Sequence, residues 1–236
     1  MADNSEVVLV AGGTGGLGRA VSSAFLAQGD TVIVTYHRQE QFDDFKKFAG
    51  NPARLEGYAV DVTNEAATVK LVDEIGSRHG RLDAMVNTVG GYAGGVKLWD
   101  LDTKVFDQML ALNLRSGYAL SRAAARVMVK QGDGAIVNIA AKAAIDHGGG
   151  AAAYAASKAA AVAMIDSLSE DLRGTGVRAN SILPSIIDTE ANRKAMPGAD
   201  FAKWPKAEDI ARIIVFLCSD AAKVIHGAAI PVFGNS

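Results

Sequence analysis

Short apolar runs alternate with longer stretches of helical periodicity along almost the whole chain. Each apolar run is about as long as a strand, and the interior runs are apolar on both faces, as the strands of a parallel sheet are. The residues between these runs show the spacing of helices. The predicted strands cover residues 7–11, 31–35, 53–60, 82–87, 135–140, 177–183 and 228–232, and the predicted helices lie near residues 16–28, 39–49, 64–79, 102–130, 151–173 and 206–219.

This alternation of strands and helices predicts a fold of the α/β class. Repeated strand–helix–strand units with right-handed crossovers give one Rossmann-type, doubly wound parallel sheet of about seven strands with helices on both faces. The chain has 236 residues, which is enough for one such core, and we expect a single domain over residues 1–236. The longest stretch without a predicted element, near residues 185–205, is expected to be a mobile substrate loop.

The composition is that of an ordinary soluble globular protein, because nearly half of the residues are apolar and 24 basic residues nearly balance 26 acidic ones. We therefore expect no nucleic-acid partner and no membrane association. Residues 1–6 are acidic and are not expected to be a signal peptide. Cys218 is the only cysteine, which fits core packing in a reducing, cytoplasmic location. No metal site is expected.

A glycine-rich string at residues 11–18 follows the first predicted strand directly and leads into a helix. Glycines allow a tight turn and a close approach of the backbone to a diphosphate, and the helix N-terminus supplies free N–H groups. A plain turn is the alternative, but the position between the first strand and the first helix favours dinucleotide binding. The predicted cofactor contacts in this string are Gly12, Thr14, Gly16, Leu17 and Gly18.

The second predicted strand ends at Thr35 and is followed by Tyr36, His37 and Arg38, without the acidic residue that commonly holds the adenosine ribose. An aspartate at this point would repel a 2′-phosphate, whereas threonine does not, and Arg38 can pair with it. We therefore predict cofactor contacts from His37 and Arg38 and a preference for NADPH, with NADH as the alternative. The other interpretation of Arg38 is a solvated loop residue.

The third and fourth predicted strands also end in residues suited to a ligand. Asp61 follows the third strand and can accept the adenine amino group, or it can cap the next helix together with Thr63 and Asn64. The fourth strand ends in turn residues at the carboxyl edge of the sheet, where ligands bind. The predicted cofactor contacts at these two strand ends are Asp61, Val62, Asn87 and Gly90.

Tyr154 and Lys158 are four residues apart on a predicted helix, so they share one face. A free tyrosine has a pKa of about 10, which makes it a poor acid–base group at neutral pH. A nearby ammonium favours the phenolate and lowers the pKa of tyrosine. We therefore predict that Lys158 lowers the pKa of Tyr154 and that the pair transfers a proton.

These motifs together resemble those of the short-chain dehydrogenase/reductase family over essentially the whole chain. The family's glycine-rich string matches residues 11–18, with Ala11 in place of its threonine, and its Asn-Asn-Ala-Gly string matches residues 87–90 loosely. Its tyrosine–lysine pair matches Tyr154 and Lys158. The resemblance implies hydride transfer with a nicotinamide cofactor, and it implies a homodimer or a homotetramer.

The same resemblance gives roles to three further residues. Asn113 matches the family's helix asparagine, which helps to hold a proton-relay water. The family's Pro-Gly followed by threonine matches residues 184–185 and Thr189. The resemblance implies that Thr189 contacts the cofactor and that the backbone near Ile187 holds the nicotinamide carboxamide.

One departure from the family concerns the substrate. The family places a serine thirteen residues before the tyrosine, where it donates a hydrogen bond to a substrate carbonyl, but this sequence has Ala141. Residues 90–95, 141–146, 192–197 and 199–201, together with Trp204, resemble the dihydropteridine reductase branch, which also lacks that serine. Hydride addition to a conjugated pterin spreads charge over several heteroatoms, so one focused donor is needed less. In that branch an aromatic residue stands at the position of Tyr92, which can stack on a flat substrate.

The sequence therefore predicts an NAD(P)H-dependent reductase that converts a quinonoid dihydropteridine to a tetrahydropteridine. The predicted catalytic residues are Tyr154, Lys158 and Asn113, and the substrate is predicted to contact Tyr92 and Ala141. The first alternative is an NADPH-dependent reductase of another carbonyl or conjugated compound, of the 3-oxoacyl or quinone type. The second alternative is a catalytically idle module that binds NAD(P).

Overall fold

Seven parallel strands form one sheet with the order β3–β2–β1–β4–β5–β6–β7 in the computed structural model, which describes residues 5–235. The expectation about residues 1–6 therefore lies mostly outside the described residues. All seven predicted strands are confirmed, although β3 and β4 each begin two residues later than predicted. The strands are β1 Val7–Ala11, β2 Thr31–Tyr36, β3 Leu55–Ala59, β4 Ala84–Asn87, β5 Gly134–Ile139, β6 Val177–Pro184 and β7 Ala229–Val232.

Helices cover both faces of this sheet, as the alternating pattern predicts. Val8 and Val10 of β1 pack in one core cluster with α1 and α8, and Val7 and Leu9 pack on the other face with α3 and α5. Side chains that alternate along a buried strand point to opposite faces, so both faces of β1 are apolar. The helices are α1 Gly16–Gln28, α2 Gln39–Phe48, α3 Glu65–His79, α4 Thr103–Leu110, α5 Ser116–Gln131, α6 Ala152–Asp171, α7 Glu190–Ala195 and α8 Ala207–Cys218.

The strand order reverses between β1 and β4, because β2 and β3 lie on one side of β1 and β4 to β7 lie on the other. The chain leaves these two neighbouring strands toward opposite faces of the sheet, which opens a crevice at their carboxyl ends. Ligands of doubly wound sheets bind at such a point. The motifs at residues 11–18 and 87–91 both follow strands that end there.

The predicted helix near 102–130 is confirmed as one continuous helical stretch, which a π-helical turn at Ala111–Arg115, containing Asn113, divides into α4 and α5. One prediction about local structure is wrong. The stretch near 185–205 is not free of elements, because it contains α7 and a 3₁₀ turn at Phe201–Lys203. α7 has no buried residue, so its six residues carry no apolar periodicity from which a helix could be predicted.

A single side chain from the sheet caps the C-terminal end of α8. The guanidinium of Arg178, on β6, donates hydrogen bonds to the carbonyl oxygens of Leu217 at 2.7 Å, Ala222 and Ser219 at 3.2 Å, and Cys218 at 3.3 Å. The last carbonyls of a helix have no partner within the helix, and they carry the negative end of its dipole. Arg178 therefore fixes the end of α8 to the sheet.

We expect Arg178→Met to lower the free energy of unfolding by about 2–4 kcal/mol, because the end carbonyls of α8 lose a charged donor while the aliphatic packing is kept. The matched control is Arg212→Met on the exposed face of α8, where the guanidinium pairs with Asp209; its effect should stay within about 0.5 kcal/mol. Urea denaturation of both variants is the measurement. Equal losses would show that Arg178 has no special role.

Candidate active site

The glycine-rich turn after β1 leaves the N-terminus of α1 open to a ligand. No described side chain caps this helix, whose N-cap residue is Gly15, so the first backbone N–H groups of α1 and the positive end of its dipole face the crevice. A Cβ at Gly18 would lie 2.1 Å from the carbonyl oxygen of Gly12, and a Cβ at Gly16 would lie 2.9 Å from the methyl carbon of Thr189. Only glycines fit these two positions. Because Gly16 has no side chain, Thr189 and the loop after β6 can pack directly against the glycine-rich turn.

Thr35 does not stand where the sequence analysis placed it. Its side chain is buried, and its hydroxyl oxygen accepts a hydrogen bond of 2.9 Å from the backbone N–H of Gly12. The interpretation of Thr35 as the substitute for a ribose-binding acid is wrong, because this hydroxyl supports the glycine-rich turn from beneath. Tyr36 is also turned inward, and its hydroxyl donates to Gln39 at 2.6 Å. The exposed side chains at this end of β2 belong to His37 and Arg38.

Asp61 is exposed and is not the cap of α3. Its Oδ1 accepts hydrogen bonds from the hydroxyl of Thr63 at 2.7 Å and from the backbone N–H of Thr63 at 2.9 Å, and these bonds lower the pKa of its carboxyl group. Asn64 caps α3 instead, by accepting from the N–H of Ala67 at 3.1 Å. The carboxylate of Asp61 therefore remains available for the adenine amino group, whereas Val62 is buried in the core and presents only its backbone.

Lys158 lies in the second turn of α6, where its Nζ donates a hydrogen bond of 2.8 Å to the carbonyl oxygen of Ile139 at the end of β5. The side chain is buried, and this burial lowers the pKa of Lys158 to about 8. An ammonium in a site of low dielectric loses the solvation that favours its charge. Lys158 is therefore charged at neutral pH but titrates far below an ordinary lysine.

Tyr154 packs edge-on against the ring of Tyr92, with 5.0 Å between the ring centroids and 78° between the ring planes. Burial, and to a smaller extent the neighbouring phenol of Tyr92, raises the pKa of Tyr154 to about 12. The prediction that Lys158 lowers this pKa is wrong for this structure, because the ammonium donates to Ile139. Tyr154 is therefore a protonated phenol at neutral pH, which suits a proton donor.

The side chain of Asn113 holds the loop that follows β4. Its Oδ1 accepts from the N–H of Gly91 at 2.9 Å, and its Nδ2 donates to the carbonyl oxygen of Gly91 at 3.0 Å and to the hydroxyl of Ser157 at 3.0 Å. Ser157 in turn donates to the carbonyl oxygen of Tyr154 at 2.8 Å. The predicted role of Asn113 in a proton relay stays a prediction, and its amide group is already occupied by these partners.

Gly90 lies next to two of the predicted catalytic residues, Asn113 and Lys158. A Cβ at this position would lie 2.8 Å from Oδ1 of Asn113 and 3.2 Å from Nζ of Lys158. Any larger residue would push one of these two groups aside, since nearly no real Cβ is that close to its neighbours. The loop after β4 therefore allows Asn113 and Lys158 to converge only because residue 90 is glycine.

The side chains of two polar residues at the end of β4, Asn87 and Thr88, form hydrogen bonds that stabilise the fold itself. The buried Nδ2 of Asn87 donates to Oδ1 of Asn138 at 2.9 Å, and its Oδ1 accepts from the N–H of Val89 at 3.1 Å. Its predicted cofactor contact can therefore come only from its backbone. The hydroxyl of Thr88 donates to the carbonyl oxygen of Ala11 at 2.7 Å and ties β4 to β1. Neither Thr88 nor Ser157 is predictable as part of the site, since neither stands out in a spacing pattern.

Ala141 follows β5 in an extended conformation and is buried, with 6% of its surface exposed. It lies two residues after Ile139, whose carbonyl oxygen holds Lys158. The buried position at which the family has a hydroxyl donor is therefore occupied by a methyl group. Any negative charge that develops beside it must be stabilised by other groups.

A cavity of about 460 Å³ opens beside Tyr92, between the loop after β4 and the N-terminal ends of α4 and α6. Asp100 and Asp102 give it two carboxylates, and Asp102 also caps α4 by accepting from the N–H of Lys104 at 2.7 Å. No basic residue is among the described residues that line it, which are Tyr92, Ala93, Gly94, Val96, Asp100, Leu101, Asp102, Val105, Gly150, Ala151, Ala152 and Ala153.

The segment near 185–205, predicted as a mobile substrate loop, is fixed at several points. Arg193 forms a bidentate ion pair with Asp188, at 2.5 and 2.7 Å, and its guanidinium lies over the ring of Phe201. Thr189 caps α7 by accepting from the N–H of Asn192 at 3.2 Å. The segment thus has its own framework, which carries Ile187 and Thr189 to the crevice.

Comparison with known proteins agrees with this geometry. A family model described as short chain dehydrogenase matches residues 6–200. D-threitol dehydrogenase of Mycolicibacterium smegmatis is 31% identical, with 98% of this chain and 93% of that protein covered. The 3-oxoacyl-[acyl-carrier-protein] reductase FabG of Thermotoga maritima is 28% identical, with 98% and 97% covered. The structure of ElxO with NADP bound superposes with a TM-score of 0.92 at 25% identity, over 98% of each chain.

The chain belongs to the short-chain dehydrogenase/reductase family, and it is an oxidoreductase. The seven-stranded parallel sheet with helices on both faces is the fold of its structural neighbours. Within residues 5–235, we find no helix with the length and apolar character needed to cross a membrane.

Proposed function

We propose that this oxidoreductase is an NAD(P)H-dependent reductase whose substrate is a quinonoid dihydropteridine. The observation that carries the proposal is the pairing of a buried methyl group at Ala141, where the family has a hydroxyl donor, with an aromatic ring, Tyr92, that packs against the proton donor Tyr154. A flat conjugated substrate needs the ring and does not need the hydroxyl. The proposal includes assembly as a homodimer or a homotetramer. This part of the proposal depends on the family resemblance alone.

The crevice fits a nicotinamide dinucleotide. The cradle at Gly16 and Gly18 has no room for a Cβ, and the uncapped N-terminus of α1 suits a diphosphate. Asp61 remains free to bind the adenine amino group, and the exposed Arg38 suits a 2′-phosphate. ElxO, which has the same fold, binds NADP. The cofactor supplies the hydride, from C4 of its reduced nicotinamide.

The protein's own residues supply the proton and the order of the site. Tyr154 donates its phenolic proton to a nitrogen of the pterin as the ring gains a hydride, so the product is a tetrahydropteridine. Lys158 remains charged below a pKa of about 8 and provides a cation for a ribose hydroxyl and for the phenolate that Tyr154 becomes. The tie between Asn113 and Gly91 keeps the loop after β4 in place around them.

Charge distribution explains why Ala141 is acceptable in this reaction. Reduction of a simple ketone concentrates negative charge on one oxygen, and a missing donor there costs several kcal/mol of transition-state stabilisation. Hydride addition to a quinonoid ring spreads the charge over several nitrogens and an oxygen. The exposed face of Tyr92, whose surface is 70% accessible, can stack on such a ring.

A 3-oxoacyl substrate is the second candidate, because FabG of Thermotoga maritima is a relative over nearly the whole chain. Carrier-bound acyl groups arrive on an arm that bears a phosphate. The cavity beside Tyr92 disfavours such an arm, since Asp100 and Asp102 contribute carboxylates and no described lining residue is basic. An idle binding module is disfavoured as well, because a site without chemistry has no need to keep the phenol of Tyr154 and the buried ammonium of Lys158 in one crevice. Asn113 does not decide this point, because its amide also holds the loop after β4.

We expect NADPH to bind about ten-fold more weakly at pH 9.5 than at pH 7. Lys158 loses its proton as the pH rises through about 8, and a charged hydrogen bond to the cofactor is lost with it. Tyr154→Phe should lose most turnover but keep this binding profile, because the pKa of Tyr154 lies far higher. Fluorescence titration of NADPH measures the affinity. Lys158→Met should bind weakly with a flat profile, and a flat profile in the unaltered enzyme contradicts the assignment.

We expect NADPH to be preferred over NADH in kcat/KM, and Arg38→Ala to reduce the efficiency with NADPH about ten-fold while leaving NADH unchanged. The guanidinium is exposed at the end of β2 and pairs with a 2′-phosphate that NADH lacks. Lys47→Ala, which removes an exposed cation from α2, is the matched control and should change neither cofactor. If the unaltered enzyme uses both cofactors equally, the preference is wrong.

The substrate class is tested by comparing kcat/KM for quinonoid dihydropterin, a 3-oxoacyl thioester, a quinone and simple ketones. We expect the pterin to be the best substrate. Ala141→Ser should leave pterin reduction within a few-fold and raise ketone reduction about ten-fold or more, since ~1.4 kcal/mol gives a factor of ten. Ala143→Ser is the control for a serine placed two residues away. A crystal structure must show the new hydroxyl at the site, and a well-placed serine without any gain on ketones overturns the charge argument.

A further inference from the structure

The side chain of Asn192, in α7, holds the peptide group of Ile187. Its Nδ2 donates a hydrogen bond of 2.8 Å to the carbonyl oxygen of Ile187, five residues back in the chain. The next residue, Asp188, is held independently, because its carboxylate forms a bidentate pair with Arg193 and its N–H donates to the carbonyl oxygen of Pro205 at 2.9 Å. The peptide between Ile187 and Asp188 is therefore fixed from both of its ends.

The cap of α7 does not depend on the side chain of Asn192. The hydroxyl oxygen of Thr189 accepts from the backbone N–H of Asn192 at 3.2 Å, and the N–H of Arg193 donates to the carbonyl oxygen of Thr189 at 2.9 Å. Thr189 also lies against the glycine-rich turn, next to Gly16. The backbone thus places α7 beside the cofactor crevice, and among residues 5–235 the side-chain amide of Asn192 makes its hydrogen bond to Ile187.

We propose that Asn192 is a positioning residue for the nicotinamide end of the cofactor. The backbone N–H and C=O of Ile187 form a donor–acceptor pair that matches the C=O and N–H₂ of a carboxamide. A carbonyl oxygen accepts two hydrogen bonds, and Asn192 occupies one direction, so the other is fixed for the ligand. A peptide that is held before binding loses less conformational freedom when the ligand arrives. The inference rests on the proposed cofactor binding but not on the pteridine substrate.

The test compares a whole cofactor with its adenosine half. Calorimetric titration of NADP⁺ and of 2′,5′-ADP is carried out on the unaltered protein, Asn192→Ala and Asn192→Asp. We expect both variants to bind NADP⁺ about ten-fold more weakly and 2′,5′-ADP within two-fold of the unaltered protein. Asn192→Asp should be at least as weak as Asn192→Ala, because its carboxylate faces a carbonyl oxygen and lacks the donor. Thermal unfolding of each variant confirms that it is folded.

The matched control is Lys194→Ala, which removes an exposed side chain of α7 that pairs with Glu190. It should change the affinity for neither ligand. A cofactor analogue in which an acetyl group replaces the carboxamide provides a second readout, because it has no N–H to donate to Ile187. The loss in Asn192→Ala should be clearly smaller for this analogue than for NADP⁺.

Three results overturn the inference: unchanged NADP⁺ affinity in both variants, an equal loss for 2′,5′-ADP, or an equal loss for the acetyl analogue. The second would show that Asn192 supports the whole crevice, and the third that it does not act through the carboxamide. If the unaltered protein binds NAD⁺ and not NADP⁺, the same comparison is made with NAD⁺ and ADP, because NAD⁺ carries the same carboxamide. If it binds neither dinucleotide, the proposed cofactor is wrong, and this fourth result removes the inference as well. A binding protein that reduces no pterin leaves the inference standing and removes only the substrate.

Discussion

The hydrogen bonds of the Asn113 amide are the contacts on which the rest of the candidate active site depends. They bind the backbone N–H and C=O of Gly91 and the hydroxyl of Ser157, and so they join the loop after β4 to α6. The amide is buried, so the loss of one partner leaves a polar group without water, at a cost of about 1–3 kcal/mol. Tyr92 and Tyr154 lie on the two segments that these hydrogen bonds connect, and the edge-on contact of their rings follows from this connection.

The strands were predictable because a parallel sheet covered on both faces requires runs of apolar residues. The π-helical turn between α4 and α5 was not predictable, since it adds one residue to a turn and leaves the helical pattern on either side almost unchanged. α7 was missed for a different reason. It is held by the cap from Thr189 and by the Asp188–Arg193 pair rather than by a buried face.

Motif spacing predicts the residues of the candidate site but not their electrostatics. The distance of four residues predicts that Tyr154 and Lys158 share a face, yet the pKa of each depends on burial and on the carbonyl of Ile139, which comes from a different strand. The direction of Thr35 likewise depends on which face of β2 meets the glycine-rich turn. Contacts such as the hydrogen bond between Asn192 and Ile187 form only when a loop folds back on itself, and no pattern in the sequence predicts them.

The protonated state of Tyr154 has a consequence for the direction of catalysis. Oxidation of an alcohol needs a base that removes the hydroxyl proton, and a phenol with a pKa of about 12 offers almost no phenolate at neutral pH. Reduction needs a donor, and the same phenol is then nearly always in the required form. Before any cofactor binds, the phenol is therefore already in the form that a proton donor needs. To act as a base in the oxidative direction, the same oxygen would need positive charge brought close to it, or an alkaline medium in which Lys158 has already lost its own charge.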